Sequence, residues 1–470
     1  MSTNLPAVVP TGTGTHRSRS PTLILATLCA AVLVAQLDTS VVNLAARPIG
    51  QYFHAGMGKL QWILDSYNLV YAALLLTGGL FADLTGRRRM FMVGAGVLTG
   101  ASLSCAVAPT AASLIAGRAL AGAGAALLLP ASLAIVRVTW PDPVERGRAL
   151  GIWAGCNGLA VALGPTLGGL LIDHFGWRSV FLALMPLSLT AVLAAPTVLP
   201  ESRARRRRRF DPAGQVLGAA ALAGVAGTAI EAHSAPGLAA VAAAVTVVAF
   251  GLLIPVERRM GAKALIPLHL FRVSAFSRAM AATAGMTFGM YGVLFLLPLT
   301  WQSRGVFGPT GAGVALMPMA GVFMLVSSFS GMLTARWGRR FVTGAGLATM
   351  ACGVILIGAT SGRVSIAASE TGLALAGLGM GMATGPLMET AMGAVSAARS
   401  GTAASLINVA RMVGATLGVA VLGSVHAVAG GGADGLRQAL GLGAAVQFFA
   451  AGVVWFGLRP RSGLVGVGSD

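Results

Sequence analysis

Residues 79–89 read Gly-Leu-Phe-Ala-Asp-Leu-Thr-Gly-Arg-Arg-Arg, and residues 331–340 read Gly-Met-Leu-Thr-Ala-Arg-Trp-Gly-Arg-Arg. In each, a Gly is followed seven residues on by a second Gly and then two Arg. Each lies between long apolar segments. The physical reading is a tight turn between two membrane-crossing helices. Glycine lets the chain reverse and the helices approach. The arginines hold that end at an anionic inner surface.

The composition agrees. Of 470 residues, 56% are hydrophobic and 10% are charged, against roughly 25% charged in a soluble domain. A helix needs about 20 apolar residues to cross the hydrocarbon. Fourteen segments meet that need: 22–46, 60–82, 90–109, 112–136, 148–172, 178–199, 214–231, 237–256, 278–300, 311–334, 342–360, 368–393, 401–428 and 438–457.

Counting Lys and Arg sets the expected orientation. Of 33, 25 fall in segments on the side of the two arginine turns, 6 on the other side, and Arg118 and Arg411 inside helices. The bias predicts cytoplasmic termini. The same retention of basic residues explains a net charge of +19 without nucleic acid, and no aromatic interleaving suited to stacking bases accompanies it. The Ala, Gly and Arg bias suggests a GC-rich bacterial genome, hence a bacterial plasma membrane.

The run Arg203–Arg209 divides six helices from the rest, and the second turn falls in the corresponding place of a later set of six. The expected plan is a tail (1–20), a six-helix bundle (21–200), a basic linker (201–213), two extra helices (214–260), a second linker (261–277), a second six-helix bundle (278–458) and a tail (459–470). The fold class expected is an all-α membrane protein.

The turn resembles the loop signature of the major facilitator superfamily, Gly-x-x-x-Asp-(Arg/Lys)-x-Gly-Arg-(Arg/Lys). Gly79, Asp83, Gly86, Arg87 and Arg88 match it, with Leu84 at a usually basic position; the second copy has Ala335 for the Asp. The resemblance implies two six-helix bundles that rock about a central pathway, with Asp83 helping to lock them together on the cytoplasmic side. A six, two, six plan resembles the multidrug branch of drug:proton antiporters. Residues 37–45, Leu-Asp-Thr-Ser-Val-Val-Asn-Leu-Ala, resemble that branch's first-helix motif, with Arg47-Pro48 where one Pro is usual. Gly164-Pro165-Thr166-Leu167-Gly168-Gly169 matches its fifth-helix motif Gly-Pro-x-x-Gly-Gly, which goes with exporters more than importers. A Gly-Pro pair also bends a helix and loosens its bonding. Arg118, before a Gly-x-Gly run, stands where the branch carries an Arg proposed to serve proton coupling.

Ionisable groups inside lipid carry the chemistry. A charged, unpaired acid there costs at least ~2.5–3.5 kcal/mol, so it pairs, faces a cavity or takes up a proton. Asp38 and Arg118 lie at similar depth and are expected to interact; Glu389 and Arg411 are a second candidate pair, near the opposite face of the second bundle. Gln36, Asn43, Asp65, Tyr67, Asn157, Tyr291, Gln302 and Asn408 are candidate cavity residues, although amides also bridge helices. Trp62 and Tyr67 also suit an interfacial belt, and Glu231 and Glu370 are read as solvated helix ends.

Cys29, Cys105, Cys156 and Cys352 are isolated and have no metal or redox spacing. There is no ATP-binding loop, no nucleophile–base constellation and no cofactor signature. The expected partners are protons, a hydrophobic small molecule and the bilayer, with a monomer as the default. The reading is a proton-driven exporter of hydrophobic or amphiphilic molecules. Its rivals are a same-fold importer or facilitator of nutrients, and a membrane sensor or scaffold that transports nothing.

Overall fold

The computed structural model describes residues 20–203, 211–261, 268–362, 365–395 and 400–457. Both expected tails, most of the Arg203–Arg209 run, Arg399 and the side chain of Asn157 lie outside what is described. Among the described residues the secondary structure is helical: α1 Pro21–Phe53, α2 Met57–Thr85, α3 Arg87–Ala106, α4 Ala111–Thr139, α5 Pro143–Phe175, α6 Ser179–Val198, α7 Pro212–Ser234, α8 Pro236–Met260, α9 Ser274–Ser303, α10 Pro309–Ala315, α11 Met317–Trp337, α12 Arg339–Thr360, α13 Ile366–Gly393, α14 Ser400–Val428 and α15 Gly432–Gly457, with a 3₁₀ turn at Leu268–Arg272. Fourteen spans are long and apolar enough to cross a membrane, because α10 and α11 together make one crossing. Leu316 separates them, and Pro318 in the first turn of α11 explains the break, since proline supplies no N–H to carry the ladder through.

Helices α1–α6 pack on one another, as do α9–α15, and the two sets meet along α2/α14, α5/α10 and α1/α9. Helix α7 packs on α8 and lies against both α2 and α14. Helix α8 turns Val241, Val247, Val248 and Phe250 outward, an apolar surface suited to lipid rather than water.

The turns carrying the arginines collect at one end of the bundle. At this arginine-rich end Gly86 adopts φ 120°, and a side chain there would strike Glu201. Asp83 pairs with Arg87 at 2.9 Å. Arg88 pairs with Glu201 at 3.7 Å and donates to the carbonyls of Pro196 and Leu199. Asp83 is thus bonded within its own turn, while Arg88 clasps α3 onto the end of α6, inside one set. Gly79 is not the close-approach glycine either: a methyl on it would meet Pro130 at 3.6 Å, an ordinary contact, whereas one on Gly78 would overlap the Ala126 backbone of α4.

Helix α1 runs on through Pro48 to Phe53, beyond the expected end at 46. Pro48 lacks an N–H, so the Leu44 carbonyl one turn back loses its helical partner. That carbonyl accepts from Gln302 Nε2 of α9 at 3.1 Å. The proline thus frees a backbone acceptor that joins the two sets.

Candidate functional site

Asp38 sits midway along α1 and Arg118 in the second turn of α4. Each is 1% exposed. Arg118 donates from its terminal nitrogen to Asp38 Oδ2 and from Nε to the Ile63 carbonyl at 3.4 Å. Its guanidinium lies 4.8 Å from the centre of the Tyr67 ring, and the Tyr67 hydroxyl donates to the Ala35 carbonyl at 2.9 Å. Tyr67, 2% exposed, is thus a prop of the ion pair, not an interfacial anchor or a cavity wall. A buried pair with each member bonded is costly to break from one side, at ~3–5 kcal/mol.

Beside this pair runs a polar stripe on α2. Gln61, Asp65 and Asn68 recur at four and three residues, so they share one face. Gln61 Nε2 donates across to the carbonyls of Val419 and Ala420 of α14, at 2.9 and 2.7 Å. The two helices run in opposite directions, so one turn further along α2 Asp65 comes level with Thr416. Asp65 is fully buried, and neither of its carboxylate oxygens has a hydrogen-bond partner; Thr416 Oγ1 and Asn68 Oδ1 are likewise unpartnered. Asp65 is therefore interior, not at a surface. Trp62 donates to Glu231 near the end of α7 at 2.9 Å, so this half-buried acid is held by the protein on one side.

The second expected ion pair does not form. Glu389 is exposed near the end of α13, while Arg411 faces the interior, within electrostatic reach of Tyr71 of α2 and Tyr291 of α9. Glu389 lies four residues before the end of α13 and Arg411 eleven residues beyond the start of α14, so at 1.5 Å per residue the two differ in depth as well as in the direction they face. Arg411 donates to Asn408 Oδ1 at 3.5 Å, and Asn408 donates to its own helix at Ala404.

A small cavity of about 30 Å³ lies where α1, α5, α9 and α11 converge. It is lined by Thr39, Ser40, Asn43, Pro165, Tyr291 and Met319 among others. Asn43 and Tyr291 thus do line a cavity. Gln302 does not; it is 1% exposed and is used on Leu44. Gln36 is half-buried in α1, one turn before Ser40. A space of this size holds a water or two, far less than a drug-sized molecule.

The contacts between the two sets explain why it is so small. Gln61–Val419/Ala420, Gln302–Leu44 and the Thr310 N–H donating to Asp173 at 2.9 Å all lie toward the end opposite the arginine turns. There the Gly-Pro block closes on α10. A methyl on Gly169 would come within 2.5 Å of the Pro309 carbonyl oxygen; one on Gly313 would overlap the Pro165 carbonyl. Gly164 and Gly168 admit Ser40 and Val41 of α1. Toward the arginine-rich end α5 and α11 differ: Gly151 and Gly155 of α5 and Gly331 of α11 have open space around them. The molecule is shut at its arginine-poor end.

Gln61, Asn68 and Tyr71 are interior polar residues that the sequence reading passed over; the four–three spacing with Asp65 was the available signal. No group of three or more potential metal ligands occurs among the described residues, and the four cysteines are free.

The family model described as Major Facilitator Superfamily matches residues 28–419. The chain is 34% identical to "Multidrug resistance protein Stp" of Mycobacterium tuberculosis over 83% of this chain and 73% of that one. It is 31% identical to "Multidrug efflux pump LfrA" of Mycolicibacterium smegmatis over 87% and 82%. Among solved structures, an auto-inhibited POT family peptide transporter superposes with a TM-score of 0.68 at 16% identity, covering 96% of this chain and 99% of that one; this likeness speaks for the fold alone. With its turn motif, its Gly-Pro block and fourteen spanning helices in place, the chain belongs to the major facilitator superfamily and is a multi-pass membrane protein.

Proposed function

We propose that this chain is a proton-coupled exporter of hydrophobic or amphiphilic small molecules, working by alternating access across a bacterial plasma membrane. The observation that carries the reading is the buried Asp38–Arg118 pair beside a pathway shut at one end. Relatives named for multidrug resistance and efflux support the substrate class and the direction.

Charge bias supports a cytoplasmic position for the arginine-rich end, with both termini inside and the closed end outside. A proton reaching Asp38 neutralises it and releases Arg118; the interior is then free to repack. Binding energy differs between the two states of the pair, and only such a difference can shift a conformational equilibrium. Deprotonation toward the cytoplasm restores the pair. Asp65, unpartnered on the seam between the sets, is a second acid that has to be neutral or compensated. The working unit is a monomer, since the pathway lies within one chain.

In inverted membrane vesicles, acidifying the lumen is expected to drive a fluorescent amphiphile inward, and Asp38→Asn is expected to abolish that accumulation while leaving the protein in the membrane. Accumulation that ignores the pH gradient would overturn the coupling. Movement only out of the lumen would indicate an importer.

A further inference from the structure

Two arginines sit within the spanning helices, and the protein treats them differently. Arg118 has a carboxylate, a carbonyl and an aromatic face. Arg411 has none of the first two. Among the described residues its one hydrogen bond is the long contact to Asn408, its Nε is buried with no partner, and none of the ion pairs includes it. Its position eleven residues beyond Ser400 puts it roughly 16 Å into the helix at 1.5 Å per residue, near the middle of the bilayer. A guanidinium keeps its charge there, and a charge at that depth needs a counter-charge.

The surroundings point to what supplies it. Tyr71 and Tyr291 stand within electrostatic reach of Arg411, one from each helix set. Tyr291 also lines the central cavity, whose other walls combine Thr39 and Asn43 with Met290, Leu294 and Met319. A fixed cation whose fork makes only the long Asn408 contact, two aromatic rings and a soft apolar wall make a site for an amphiphile with an acidic group. We propose that Arg411, framed by Tyr71 and Tyr291, takes the anionic group of the exported molecule, a carboxylate or ionised phenol, while Met290, Leu294 and Met319 take its apolar body.

This rests on the export reading and narrows its substrate class. The test is transport into vesicles of a carboxylated amphiphilic dye and of its neutral methyl ester, by the full chain and its Arg411→Gln and Arg411→Lys variants. Wild-type protein is expected to move the acid better than the ester. Arg411→Gln is expected to lower acid transport by about 10- to 100-fold, the worth of a charge-assisted hydrogen bond, and to leave the ester unchanged. Arg411→Lys keeps the charge without the fork and is expected to retain part of the acid transport. Ester transport doubles as the check that each variant folds. The proposal is overturned if Arg411→Gln lowers acid and ester alike, which would make the residue structural or an internal partner of Asp65. It is also overturned if wild type prefers the ester. If neither dye moves, the export reading itself falls, and this assignment with it.

Discussion

Asp38 and Arg118 show how far single residues could be read from the chain alone. Their depth follows from counting along two helices, and each type is so costly in hydrocarbon that a partner was required. Tyr67 was harder to assign, because an aromatic near a helix end satisfies an interfacial role on paper; only the Ala35 carbonyl under its hydroxyl and the guanidinium over its ring fix it inside. Glu389 and Arg411 do not meet, since sharing one half of a bundle fixes neither the depth nor the direction of a side chain. The pair's geometry yields a graded expectation. Arg118→Lys keeps the charge for Asp38 but gives up the Ile63 carbonyl and the flat stacking surface. Gradient-driven transport in vesicles is expected to drop by at least ~10-fold, since a Lys cannot replace a forked, stacked Arg. Arg118→Ala is expected to lose folded protein as well, by stranding a buried carboxylate; quantifying membrane yield separates the two.

At the scale of elements, prolines and glycines decided what was visible. The fourteen crossings were legible because apolar length is a strong signal. The break at Leu316 and the continuation of α1 past Pro48 were not, because a proline ends one helix and is absorbed by another according to whether a donor reaches the orphaned carbonyl. At Pro48 the acceptor is used by Gln302, from the other set of helices. Glycines divide by what they touch. Gly78 packs α2 onto α4 within one set, while Gly169 and Gly313 join α5 to α10 across the two. Gly78→Ala is therefore expected to cost stability, ~1–3 kcal/mol as an overpacked contact, visible as a lower melting temperature in detergent. Gly169→Ala and Gly313→Ala are expected to leave melting nearly unchanged and to open the arginine-poor end, read as faster alkylation of a cysteine introduced at Asn43. Equal melting losses for all three would contradict this division.

For the whole molecule, the two extra helices pose the question of which set they move with. Helix α7 is tied to α2 near both of its ends, by Thr77 donating to Gln215 and Gln215 to the Ala73 carbonyl, and by Trp62 donating to Glu231. Toward α14 it has the Ser424 hydroxyl on the Ala229 carbonyl at 2.6 Å. Helix α7 is thus expected to travel with α1–α6 and to slide on α14. In a chain with its native cysteines replaced, joining Thr77→Cys to Gln215→Cys should leave transport intact. Joining Ala229→Cys to Ser424→Cys should stop it until reductant is added. The reverse pattern would assign α7 to the other body. The closure at the arginine-poor end itself carries one last consequence. Where α5 meets α10 it is made of main-chain atoms pressed together where side chains are missing, so that part of it contains almost nothing that mutation can adjust. The lining of the route can drift over generations to suit new cargo, but the doorway has two positions that can only be kept or broken. Resistance that broadens its range is therefore expected to accumulate changes around Asn43 and Tyr291 and to spare Gly169 and Gly313.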